Sequence, residues 1–83
     1  MSAIEGTPDE VLARVQAIFD EITPGARCEL QDYGHKIGCG ALGRGESVED
    51  VVFVRGGVTE EHARHHAEVL KTKLATGGSI AGG

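Results

Sequence analysis

The chain has 83 residues, a formal charge of −5, no tryptophan and only three other aromatic residues, two phenylalanines and one tyrosine. Such a chain makes one small domain with an aliphatic core, and a homodimer or a protein partner would add burial that the core lacks. Acids spread along the sequence argue against direct nucleic-acid binding, which needs a basic patch against phosphates, and suit a partner with a basic surface. No apolar run approaches the roughly 20 residues that span a bilayer. The opening MSAIEG lacks the basic start and apolar stretch of a signal peptide, so the expectation is a cytoplasmic protein.

Residues 1–6 read as a disordered lead, 7–78 as a single α+β domain, and 79–83 as a flexible glycine-rich tail. Thr7-Pro8-Asp9-Glu10 is a helix start: Thr7 caps, Pro8 suits the first turn, and Glu10 completes a capping box. Val11, Leu12, Val15, Ile18, Phe19 and Ile22 then fall on one helical stripe, which Thr23-Pro24-Gly25 ends.

Ala26 to Ala41 reads as a β-hairpin turning at Tyr33-Gly34. Apolar residues alternate on both arms. A loop with an even residue count places Leu30 against Ile37 and Cys28 against Cys39, with both apolar rows on one side. Turn chemistry points the other way, because Tyr33 is a poor residue for positive φ, and burial of four apolar side chains is taken to outweigh it. The even register sets the two cysteines face to face. Two small buried thiols are the expected reading, with a redox-sensitive disulfide as the alternative.

Gly38, Gly40 and Gly43 formally match G-x-G-x-x-G. That motif needs a helix directly after the glycines, whereas Val51-Val52-Phe53-Val54 follows, so relaxed strand ends are the reading here. Ser47 to Arg55 forms a third strand, and its continuous apolar run suggests a central, well-buried position. Gly56-Gly57 breaks it. A second helix starts at Thr59, buries Ala63, Ala67, Leu70 and Leu74, and stops at Thr76-Gly77-Gly78.

His62 and His66 lie four apart on that helix and are the candidates for gripping a metal. H-E-x-x-H is absent and nothing makes an obvious third ligand beyond Glu61, Cys28, Cys39 or His35, so no metal and no cofactor is expected. His65 beside them raises a pH-responsive surface as a second idea. Ser2, Ser47 and Ser79 lack the context of a catalytic serine, and both cysteines point into the expected core, so the chain reads as a non-enzyme. Asp32 and His35 flank the turn as an electrostatic pair.

Leu70-Lys71-Thr72-Lys73-Leu74-Ala75-Thr76-Gly77-Gly78-Ser79-Ile80 resembles the helix-to-strand junction of the small translation-initiation factors like eukaryotic initiation factor 1, and Val51 to Gly56 is similar to the strand before that helix. The resemblance covers residues 51–80. It implies an α/β plait bound to the small ribosomal subunit, with Lys71 and Lys73 on rRNA. By size and charge alone, the chain also resembles the small acidic proteins that phages direct against host nucleic-acid machinery, the anti-CRISPR class among them.

The expected architecture is α-β-β-β-α: a three-stranded antiparallel sheet with two helices on one face. Its open face then presents Arg27, Glu29, Gln31, Tyr33 and Lys36, with Arg44 at a loop tip, as the partner-binding residues. The leading expectation is a non-enzymatic regulator or inhibitor that covers a basic, nucleic-acid-handling partner. A ribosome- or RNA-binding initiation-factor-like role is the alternative.

Overall fold

The computed structural model describes residues 3–43 and 45–76, and of Glu46 the backbone alone. Arg44 and the glycine-rich tail therefore lie outside the described residues. Helix α1 spans Pro8–Ile22, with Thr7 as N-cap and the expected capping box: the Glu10 amide donates to Thr7 Oγ1 at 3.2 Å, and the Thr7 amide to Glu10 Oε1 at 2.8 Å. Val11, Val15, Ile18 and Phe19 are buried along its stripe, with Leu12 and Ile22 at the margin.

Strands β1 (Arg27–Gln31), β2 (Lys36–Gly43) and β3 (Glu46–Val54) form an antiparallel meander in the order β1-β2-β3. Helix α2, Glu60–Ala75, is capped by Thr59, whose hydroxyl accepts from the His62 amide. Both helices share one face of the sheet. There Ile37, Cys39, Val51 and Phe53 pack with α1 and with Ala63, Ala67 and Leu70 of α2. The Arg14–Glu60 ion pair (2.9 Å), the Arg64–Glu21 pair (3.8 Å) and the bond from Thr23 Oγ1 to the Ala67 carbonyl advance in the same direction along both helices. The two helices thus run side by side in parallel, with their N-termini at one end of the molecule.

The hairpin has the even register: Cys28 opposes Cys39 and Leu30 opposes Ile37. Its four-residue loop places Asp32, Tyr33 and Gly34 in succession at φ of 51°, 57° and 87°. Left-handed backbone costs a non-glycine residue roughly 1–2 kcal/mol. A one-residue slip would instead have turned a whole apolar row into solvent, so burial overrides turn chemistry. The loop closes through a bond from the His35 amide to the Asp32 carbonyl (3.0 Å), so this pair is joined by backbone.

Three expectations are corrected. β3 is not central: β2 is, and β3 is an edge strand with one covered face. Its run of apolar residues alternates between helix-facing Val51 and Phe53 and outward Val52 and Val54. Within the lead expected to be disordered, Ala3 forms a bridge with Thr59 and the Ile4 amide donates to the Val58 carbonyl at 2.7 Å. Ile4 has apolar surface to bury, and it packs against the core.

The glycines have local reasons. Between Cys39 and Gly40 the register of β2 on β3 shifts by one, leaving Asp50 as the extra residue of a β-bulge. A Cβ on Gly40 would stand 2.5 Å from the Val48 carbonyl oxygen, so only glycine fits beside the bulge. The bulge brings Asp50 to α2, where its carboxylate pairs with Lys73.

Candidate functional site

With both helices on one side, the other face of the sheet is bare. Residue pairing fixes what stands on it. Gln31, Lys36 and Val54 form one cross-strand row, Glu29, Gly38 and Val52 the next, Arg27, Gly40 and Glu49 the third, and Leu42 with Ser47 the last. Glycines fill the middle of the second and third rows, so the sheet centre sinks into a shallow trough of about 180 Å³ between Arg27 and Glu29 on one side and Ser47 and Glu49 on the other. The Gln31 carboxamide lies over Gly38, whose Cβ position is 2.3 Å from Gln31 Nε2.

Five of the six residues expected to bind a partner are thereby placed. Arg27, Glu29, Gln31 and Lys36 lie on the open face, and Tyr33 lies at the hairpin tip rather than on the face itself. Arg44 lies outside the described residues. Charges on this face alternate in sign: Arg27 and Lys36 against Glu29 and Glu49. It is therefore not an acidic surface.

Its apolar content is the feature that sequence reading missed. Among the described residues, the exposed large apolar side chains are Tyr33 (98 %), Leu42 (72 %), Val54 (66 %) and Val52 (53 %), and all of these belong to the sheet layer. An exposed tyrosine held at positive φ gains little within its own chain; such local strain is concentrated at functional sites. The Val-Val-Phe-Val run carried no sign of two faces, because an unbroken apolar stretch has no period until something covers one side.

The acidity is concentrated elsewhere. A groove of about 580 Å³ runs between Ala3–Glu5 and the first turns of both helices, lined by Glu5, Glu10, Arg14, Glu60 and Glu61. Hydrogen bonds from Thr7, backbone first and then hydroxyl, hold the Glu10 carboxyl below its usual range. Arg14 does the same for Glu60 through a direct hydrogen bond. Each acid was legible as a local helix-start feature, since negative charge favours a helix N-terminus. Parallel packing of the helices then combines two such starts into one electronegative groove.

This groove and the hairpin tip share an end of the molecule. A Cβ on Gly34 would stand 3.4 Å from Pro8 Cβ at the start of α1, and β3 delivers Val54 there just before the start of α2.

His62, His65 and His66 form a surface cluster on α2. His62 and His66 have ring centroids 4.7 Å apart, and both meet the Phe53 ring edge-on at 5.9 and 5.6 Å. His66 is half-buried; burial first, then the neighbouring His62 and His65, lowers its pKa, while Asp50 opposes them. Among the described residues, no group of three or more His, Cys, Asp or Glu is placed to hold a metal ion. None of the described helices is long and apolar enough to cross a membrane.

In comparisons with protein-family models, curated proteins and solved structures, nothing matches this chain.

Proposed function

We propose that the protein is a non-enzymatic binding module that regulates or inhibits a macromolecular partner by covering part of its surface. One observation carries this reading. Tyr33, Val54 and the acidic groove are gathered at one end of the fold, and among the described residues the exposed large apolar groups are confined to the sheet layer. Apolar anchors beside fixed charge are what a protein interface needs. The aromatic supplies contact area at low entropy cost, and charge supplies orientation and association rate. The groove favours a partner with basic side chains, including one that itself handles nucleic acid. The proposed place of action is the cytoplasm. Direct RNA binding in the manner of an initiation factor is the weaker reading: Lys71 is exposed, but Lys73 is engaged by Asp50, and the open face has as many acids as bases.

The test is a capture experiment with the tagged chain and three variants. The expected result is one stoichiometric protein retained by wild type and by Arg64→Glu on the helical layer, and lost with Tyr33→Ala or Val54→Glu. Recovery of ribosomes alone, or retention by all four chains alike, would overturn the proposal.

A further inference from the structure

Cys28 and Cys39 are the two cysteines of the chain, and both are free thiols. They are direct cross-strand partners, with Sγ atoms 2.7 Å apart and the Cys39 thiol donating to Cys28. The backbone suits a covalent link as well. The Cys28 amide points away from β2 and donates to Gln16 Oε1 at 2.8 Å, so the pair occupies a non-hydrogen-bonded position of the β1–β2 ladder. Residues at such positions have Cα atoms about 4.5 Å apart, within the range that a disulfide spans without backbone movement. Gln16 also donates to the Ala26 carbonyl at 3.0 Å, so its carboxamide ties down the chain on either side of Arg27.

The two thiols differ in access. Cys39 is fully buried, whereas Cys28 is half-buried at the edge of the core. We propose that Cys28 and Cys39 form a modification site: a dithiol that closes to an intramolecular cross-strand disulfide on meeting a small disulfide oxidant such as oxidised glutathione. Cys28 reacts first. Its proton goes to water, the thiolate attacks one sulfur of the oxidant, the oxidant's S–S bond breaks, and one glutathione thiolate leaves. The Cys39 sulfur then attacks Cys28 Sγ in the mixed disulfide, and the second glutathione departs with the proton of Cys39. The cysteines lose two electrons and two protons in total, and the oxidant becomes two thiols. The hydrogen bond with Cys28 and burial both push the Cys39 thiol up, which keeps it protonated and marks it as the resolving partner rather than the first nucleophile. In a reducing cytoplasm the pair stands open, and a more oxidising state closes it.

The experiment equilibrates the full chain with oxidised and reduced glutathione at several ratios. Intact mass and thiol content are then read after acid quenching and unfolding. The expected product is a monomer lighter by two hydrogens, with no free thiol and no glutathione adduct, already dominant at equal concentrations of the two forms. Its thermal midpoint rises by about 10 °C over the reduced chain, because a cross-link removes freedom from the unfolded ensemble. Cys39→Ala should stop at a glutathione adduct on Cys28, and Cys28→Ser should stay unmodified while folded. Should Cys39→Ala not fold, the wild-type mass and Cys28→Ser still decide. Two titratable thiols after equilibration with excess oxidant, a persistent adduct on wild type, or a disulfide-linked dimer in place of the monomer would each overturn the assignment.

Discussion

Phe53 and Val54 are neighbours in one strand and have opposite fates. Phe53 meets the Phe19 ring edge-on at a centroid distance of 6.4 Å and is covered by α2, whereas Val54 stands in solvent on a sheet face that no helix reaches. The same contrast holds for Val51 and Val52. Covered residues of β3 serve the stability of the fold. Outward ones contribute less to it, since half or more of their surface stays in water on folding, and they remain available to a partner. Two faces of one strand therefore separate folding from binding.

Substitution should break this comparison most sharply at Phe53. Phe53→Ala should cost about 3–5 kcal/mol by leaving a cavity against α1 and α2, while Val54→Ala should change stability by only about 0.5 kcal/mol or less, both read from urea unfolding midpoints. A similar loss at the two sites would mean that the open face is covered in solution.

Gly40→Ala comes next. The added methyl group meets the Val48 carbonyl, so the bulge must shift, with an expected loss of about 1–3 kcal/mol and loosening of the Asp50–Lys73 pair. Gly56→Ala, which has open space around it, is the control.

At the hairpin tip the sign reverses. Tyr33→Asn should stabilise the free chain by up to about 1 kcal/mol, because asparagine tolerates left-handed backbone and the tyrosine ring has nothing to lose. The same change should weaken partner capture. A stabilised variant that binds as well as wild type would remove Tyr33 from the interface.

The smallest effect concerns pH. His66 has its folded pKa below the ordinary value of 6.5, mainly because it is partly buried against Phe53. The unfolded chain then takes up protons more readily than the folded one. This contribution is complete above pH 6.5 and fades as pH falls through the usual histidine value toward the lower folded one. Denaturant midpoints between pH 5 and 8 should decline on the acid side, and His66→Leu should flatten that decline.

Local chemistry made much of the architecture legible in the sequence. The Thr7-to-Glu10 capping box, the stripe from Val11 to Ile22, the Thr59 cap and the alternation through Cys28, Leu30, Ile37 and Cys39 each depend on residues a few positions apart or on one burial rule. They were sufficient for element order, hairpin register and the face bearing Arg27, Glu29, Gln31 and Lys36. Tertiary packing decided the rest. Only the stacking of two helices on one face shows that Val52 and Val54 are outward, since an apolar run lacks an internal marker of which side will be covered. The bulge at Asp50 and the need for glycine at Gly40 depend on the register between two strands. The acidic groove exists because α1 and α2 are parallel, a relation between elements 37 residues apart (Ile22 to Thr59) that no local pattern encodes.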